Sequence, residues 1–292
     1  MEEIKTISID HSLYPKLLKE IIDPPRVLYY KGSLDFGSDI IVAIVGTRRC
    51  SDYGKQAVAG IASGLAQAGL TIVSGMAKGV DSIAHQTALD YNSRTIAVLG
   101  TGLDEASIYP PENLGLSRKI IENKGAIISE YPSGVKANKW NFPQRNRIIS
   151  GISRAVIVIE AKERSGALIT AGHALKQKRM VFALPGSIYS LNSKGCHHLI
   201  KQGAKLIDSS QDIFEAFGIA PKMARQNAKA GTAEEIQILE IIGNEALHIN
   251  KIIEATGLPP AKINACLINL EMAGIIKNLG SNVFIIKNEW QN

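Results

Sequence analysis

Four stretches of the chain set glycine beside small polar or basic side chains. They are Gly46-Thr47-Arg48-Arg49, Ser74-Gly75-Met76-Ala77-Lys78-Gly79, Gly100-Thr101-Gly102 and Ser165-Gly166-Ala167-Leu168-Ile169-Thr170. Glycine lets backbone N–H groups approach an anion, and a following helix adds its positive N-terminal end. Several such loops on one sheet edge would make a phosphate cradle. The same glycines are also what tight turns between strand and helix require. The first loop lacks GxGxxG, and Ser74 and Gly75 stand where an acid would grip a ribose, so a dinucleotide is disfavoured. No GxxxxGK[ST] occurs, and the SGALITAGHAL loop holds no acid to assist a nucleoside-phosphate hydrolase.

A second chemistry lies in residues 131–159. They contain Lys136, Lys139, Arg145, Arg147 and Arg154, no Asp or Glu, and the aromatics Tyr131, Trp140 and Phe142. Cations for phosphates interleaved with aromatic faces for bases suit a single-stranded nucleic acid, because a duplex keeps its bases stacked inside. Arg147 and Arg154 could instead be paired with acids elsewhere in the fold. Asp81 and His85, four apart on one helix face, could form an acid–base pair. Capping by Asp81 and packing of His85 is the more ordinary role, and neither a nucleophile nor a carboxylate pair completes a mechanism. Glu130 and Glu160 end separate strands and are read as anchors for basic residues. Cys196-His197-His198 is set aside as a metal site, because three adjacent side chains cannot all face one ion and no acid or further Cys lies nearby.

Positioning these loops requires a parallel sheet. Continuous apolar runs at Ile40–Val45, Leu70–Val73, Thr95–Leu99, Ala126–Ile128, Ala155–Ile159, Met180–Leu184 and Ala204–Ile207 alternate with helix-length segments such as 54–68 and 79–91. Strands apolar on both faces predict an α/β fold: a Rossmann-like parallel sheet with helices on both faces over residues 39–217. Residues 1–38 are expected to form an irregular N-terminal arm, with a short extended segment at Val27–Tyr30 after Asp23-Pro24-Pro25. Residues 218–232, rich in Ala, Gly and Lys, are expected to be a linker. Helical patterns at 233–242, 248–255 and 260–273, then strands at 275–279 and 283–286, predict a small C-terminal winged helix domain over 233–292.

The 292 residues, 45% hydrophobic and 21% charged, are ordinary globular usage. The net charge of +6 is unevenly spread: residues 233–292 hold four Lys, no Arg and seven Glu, so they carry −3 and the rest +9. A winged helix that grips duplex DNA should be basic. The acidic one here is read as a protein-contact module, against the rival of a duplex-binding transcription regulator. Cys50, Cys196 and Cys266 are dispersed and odd in number, which fits a reduced cytoplasmic setting rather than a disulfide framework. The first ten residues carry acids and no signal-peptide core, and no run of about 18 apolar residues provides a membrane span.

Seven segments, VGTRR, SGMAKGVDSIAH, LGTGLDEASIYPPEN, GAIISEYPSG, KWNFPQRNRIISGIS, SGALITAGHAL and VFALPGSI, resemble the DNA-processing protein A (DprA/Smf) family in order and spacing, over about residues 14–217. The resemblance implies an extended Rossmann fold, usually dimeric. It implies a protein, not regarded as an enzyme, that binds single-stranded DNA, protects incoming strands in natural transformation and loads the RecA recombinase. No metal or cofactor is implied. The family's phosphate-gripping arginine falls on Arg48, with Thr47 in place of its usual serine. Its lysine and aromatic fall on Lys139 and Phe142, followed by Arg145, Asn146 and Arg147. His197 stands where the family often has Asn, and the N-terminal helical domain of some members is absent or reduced to the arm. The expected single-strand contacts are therefore Gly46, Thr47, Arg48, Ser74, Gly75, Lys139, Phe142, Arg145, Asn146 and Gly166. The alternative is a Rossmann-type enzyme acting on a nucleoside phosphate.

Overall fold

The computed structural model describes residues 3–35, 40–219, 232–243, 246–272, 275–280 and 282–286. It divides the chain into two compact units, residues 1–221 and 222–292. The elements of the first are β1 (Lys5–Ser8), α1 (Lys16–Lys19), β2 (Val27–Gly32), β3 (Ile41–Val45), α2 (Asp52–Gln67), β4 (Thr71–Ser74), α3 (Val80–Asp90), β5 (Thr95–Leu99), α4 (Leu114–Glu122) and β6 (Ala126–Ser129). There follow α5 (Asn141–Gly151), β7 (Ala155–Val158), α6 (Gly166–Lys176), β8 (Met180–Ala183), α7 (Lys194–Lys201), β9 (Lys205–Leu206) and α8 (Gln211–Phe217).

The strands form one nine-stranded sheet in the order β1-β2-β6-β5-β4-β3-β7-β8-β9. Along the run β6-β5-β4-β3-β7-β8-β9 every adjacent pair is parallel; β1 and β2 pair antiparallel with each other, and β2 pairs antiparallel with β6. The segment expected to be an irregular arm thus extends the sheet. Its tie is the Tyr29↔Ser129 to Gly32↔Ala126 register, which no local pattern announces.

Side-chain alternation explains why β3 is apolar throughout. Ala43 and Val45 pack on one face with Ile148 and Ile149 of α5 and Ala171 of α6. Val42 and Ile44 pack on the other with Val58, Ile61 and Leu65 of α2 and Ala84 of α3. Period two sends successive residues to opposite faces, and both are covered. The Ser51 hydroxyl caps α2 by accepting from the Gly54 N–H at 3.1 Å, and Gly218, left-handed at φ 62°, ends α8.

His85 sits inside this core, fully buried on α3, with Nδ1 2.6 Å from Thr95 Oγ1. The Thr95 hydroxyl itself donates to Ile72 O at 2.9 Å, so the imidazole Nδ1–H is the donor to it. Burial, with the Arg145 charge adding to it, pulls the His85 pKa down to about 3. An unfolded chain takes up this proton near pH 6.5, so between those values the unfolded state holds more protons and stability falls as pH drops. In chemical denaturation at pH 7, 5.5 and 4.5, His85→Leu is expected to lose less stability on acidification than wild type, by about 1.4 kcal/mol per pH unit within that window. Equal acid sensitivity would remove His85 from the account.

The second unit comprises α9 (Ala233–Ile242), β10 (Leu247–His248), α10 (Ile249–Thr256), α11 (Pro260–Met272), β11 (Ile276–Asn278) and β12 (Val283–Ile286). The strands form a separate sheet, β10-β12-β11. Ile238, Ile252, Ile263, Leu267 and Phe284 make its core. Thr232 and Glu235 form a reciprocal capping box on α9. This is the expected winged helix, with β10 as a strand too short to be read from its own residues. The expected linker, 218–232, lies mostly outside the described residues. Among the described residues, no helix is long and apolar enough to cross a membrane.

Candidate nucleic-acid interface

From β3 the chain runs outward in both directions across the sheet, β4-β5-β6 on one side and β7-β8-β9 on the other. This switch point opens a crevice at the carboxyl ends of the strands, the usual ligand position in such folds. A cleft of about 700 Å³ lies there, lined by Gly46, Thr47 and Arg48 after β3, Ser165, Gly166 and Ala167 at the start of α6, and Lys139, Phe142, Arg145 and Asn146 from the α5 region. A smaller hollow of about 180 Å³ adjoins it, sharing Arg48, Ala77, Tyr109, Phe142 and Arg145 and adding Arg49, Gly75, Lys78 and Pro110.

The loop before α5 is held over the strand ends by its own polar groups. Asp104 Oδ1 accepts from the Gly134 N–H at 2.7 Å, and that bond keeps its carboxyl below the usual range. The Gly102 N–H donates to Val135 O at 2.9 Å, and Lys136 Nζ to Ala106 O at 2.9 Å. Asn141 Nδ2 donates to Gly100 O at 3.1 Å, laying the start of α5 on the β5 loop. A Cβ at Gly100 would come 3.1 Å from the Phe142 ring, so glycine there allows the aromatic to sit down on the strand end. Sequence position 100 is thus a seat for Phe142 more than a phosphate loop.

The exposed charge matches the basic-segment reading in part. Arg48, Arg49, Lys139, Lys162 and Arg164 are exposed, and none forms an ion pair among the described residues. The Arg48 guanidinium lies 5.6 Å from the Phe142 ring centre and Lys139 Nζ 4.9 Å from that of Trp140, which is 69% exposed. Ser165 caps α6, accepting from the Ala167 N–H, and the helix start faces the cleft with an open Gly166.

Three expected contacts turn inward. Ser74 is fully buried and its hydroxyl donates to Ile44 O at 2.6 Å. Arg145 is 5% exposed, with Nη1 donating to Gly75 O at 2.6 Å and to Val98 O. A Cβ at Gly75 would meet both Arg145 Nη2 and Asp81 Oδ2 at 2.7 Å, so the glycine makes room for this buried pair. Burial lowers the guanidinium to about 10 and raises the Asp81 carboxyl, against the mutual attraction of the two charges. Asn146 is buried and donates from Nδ2 to Gly166 O at 3.2 Å, joining α5 to α6. Arg145 and Asn146 line the cleft from below while Ser74 lies in the core; of the other expected residues, Gly46, Thr47, Arg48, Lys139, Phe142 and Gly166 line the cleft.

Other sequence readings find their places. Asp81 Oδ2, in the first turn of α3, accepts from the N–H of Ala77 in the loop before the helix at 3.2 Å, so it ties that loop down; the expected capping role is not seen, since Gly79 starts α3 without a side-chain cap. Glu130 pairs with Arg147 at 2.7 Å, and Asp23 reaches the same guanidinium at 3.2 Å, tying the N-terminal segment to α5. Glu160 anchors the start of α2, accepting from the Ser51 N–H and hydroxyl at 2.9 and 2.6 Å. Arg154 lies 5.2 Å from the Phe217 ring. Cys196 is buried under β7 while His197 Nε2 lies 3.0 Å from Gly186 O, so the triplet diverges. Tyr109 was not among the expected contacts. It is 43% exposed, lines both cavities, and its ring centre is 5.8 Å from that of Phe142. Its signal was an aromatic followed by two prolines in a short loop that also carries acids.

Comparison with known proteins agrees with this architecture. The family model of DNA recombination-mediator protein A matches residues 5–218, and that of the DprA winged helix domain matches residues 222–282. The DNA processing protein DprA of Streptococcus pneumoniae is 48% identical over 216 residues, covering 74% of this chain and 75% of that one. Protein Smf of Escherichia coli is 39% identical over 279 residues, covering 92% and 74%. The solved pneumococcal structure superposes with a TM-score of 0.67 over 73% of this chain and 74% of that one. DNA processing protein A of Helicobacter pylori, solved for its single-stranded DNA binding mode, is 33% identical with a TM-score of 0.65 over 74% of this chain and 98% of that one. The chain belongs to the DprA/Smf family of DNA processing proteins.

Proposed function

We propose that the cleft at the sheet switch point binds single-stranded DNA without regard to sequence. The observation that carries this reading is the placing of exposed cations without ion pairs among the described residues beside aromatic rings: Arg48 over the half-buried Phe142 that lines the cleft, and Lys139 over the exposed Trp140 next to it. Cations take phosphates and aromatic faces take bases of any identity, which gives affinity with little sequence readout. The Helicobacter pylori relative, described by its single-stranded DNA binding, supports the same ligand. In this reading Thr47, Arg48, Lys139 and the open start of α6 hold phosphates, and Phe142 with Tyr109 offers stacking faces. The protein protects incoming strands in the cytoplasm as a homodimer and passes them to RecA, during transformation or recombination.

The second unit is proposed to contact protein rather than duplex DNA. Its α11, the helix that would enter a groove, carries one lysine, Lys262, and that lysine is held by Glu234 at 2.5 Å. A duplex-gripping helix would leave its cations to phosphates.

Stacking and charge are separable by experiment. Phe142→Ala and Tyr109→Ala are each expected to weaken oligo-dT binding by about 1–3 kcal/mol, the range for a base on an aromatic face, with an unchanged salt slope. Tyr109→Phe should keep wild-type affinity. Fluorescence anisotropy against salt reads both quantities; full affinity in both alanine variants would remove base stacking from the site.

A further inference from the structure

We propose that Glu112 is a built-in anion at the mouth of the smaller hollow, which holds Lys78 until a strand phosphate takes its place. The proposal rests on the cleft being the single-strand site. Lys78 follows β4 and lines the hollow beside Arg48 and Arg49. Of the exposed cations around the two cavities, it is the one in an ion pair among the described residues, with Nζ 2.6 Å from Glu112 Oε1. Both side chains are more than half exposed, so water and ligand reach them. The Lys78 ammonium also holds the Glu112 carboxyl below its usual range, so the acid is ionised at neutral pH.

The acid is placed by the fold. Asn113 Nδ2 donates to Met76 O at 2.7 Å, which fixes the 109–113 loop against the loop after β4. Tyr109, at the other end of this short loop, lines the same hollow. One loop therefore supplies both an aromatic face and an acid to a rim that is otherwise basic. A lone carboxylate there is unfavourable for a polyanion unless it is exchanged.

A carboxylate and a phosphate offer a lysine the same partner, an anionic oxygen. When phosphate replaces carboxylate, Lys78 keeps one ion pair, and Glu112 must turn to solvent. An exposed pair of this kind is weak, so the exchange costs little and the effect on affinity is a few-fold. A rim set this way binds strands less tightly than its cation count would allow, and it favours release when the strand must be passed on.

The test is a mutant cycle on the full chain with labelled oligo-dT at low salt. Glu112→Gln is expected to tighten binding about two- to fivefold, the size of an exposed pair. It should also steepen the salt dependence by a little under one counterion, because Lys78 is then free for phosphate from the start. In a Lys78→Met background the same substitution should change affinity by less than about 1.5-fold, for want of a cation to release. Unchanged or weaker binding by Glu112→Gln, or an equal gain without Lys78, would overturn the exchange. Arg48→Ala is the control: undiminished binding in it would overturn the single-strand site itself, whereas lost binding there with an inert Glu112→Gln would overturn the exchange alone.

Discussion

Arg48→Ala is expected to weaken single-stranded DNA binding roughly 10- to 100-fold and to leave thermal stability unchanged. The side chain is exposed, follows β3 at the switch point, and touches the Phe142 ring without an acidic partner among the described residues. A charge-assisted contact of an arginine with a phosphate is worth about 1.5–3 kcal/mol, which sets that range. The loss should be the same for homopolymer and mixed sequence, since a phosphate carries no sequence. The salt slope should become shallower by a little under one for the lost single-strand contact. Adding Lys139→Ala should deepen the loss and flatten the slope again. A loss that depends on sequence, with the variant discriminating less than wild type, would place Arg48 on a base instead.

Arg145→Met is expected to act through folding. Although it lies in the same basic segment, its guanidinium is buried, bonded to the Gly75 and Val98 carbonyls and facing Asp81. Removing it strands two carbonyls and drives the buried Asp81 carboxyl toward its neutral form. Breaking a buried charge pair from one side costs about 3–5 kcal/mol, several times an exposed pair. Urea denaturation should show that loss, and Arg145→Met/Asp81→Asn should recover part of it, because no charge is then left buried alone. If Arg145→Met kept full stability and only lost DNA binding, Arg145 would be a ligand contact after all.

The contrast between these two arginines marks what could be read from the residues. Both stand in basic motifs, and sequence alone treats them alike. What separates them is Asp81, sixty-four positions before Arg145, together with a missing Cβ at Gly75 that leaves room for both buried groups. Such long-range pairing leaves no periodicity. The parallel strands were legible because both faces of the sheet are covered and every residue of β3 and β4 is buried. β1 was not, since Lys5–Ser8 buries one residue of four and is defined only by its neighbour. Glu130 and Arg147 were legible as a pair because an acid ending a strand next to a basic segment has few other uses; Glu160, expected to anchor a basic residue, instead holds the Ser51 N–H and hydroxyl. Tyr109 and Glu112 were not, since nothing local brings residue 109 to residue 142 or residue 112 to residue 78.

Fluorescence anisotropy on the wild-type chain, titrated with a labelled single-stranded oligonucleotide and with the matching duplex across a range of salt, tests the central claim most directly. Binding should favour the single strand strongly, fall steeply and linearly in log affinity with log salt, and differ little between homopolymer and mixed sequence. Equal affinity for duplex, or binding insensitive to salt, would contradict a cleft that joins cations to open aromatic faces and would return the glycine-rich loops to a small phosphate ligand.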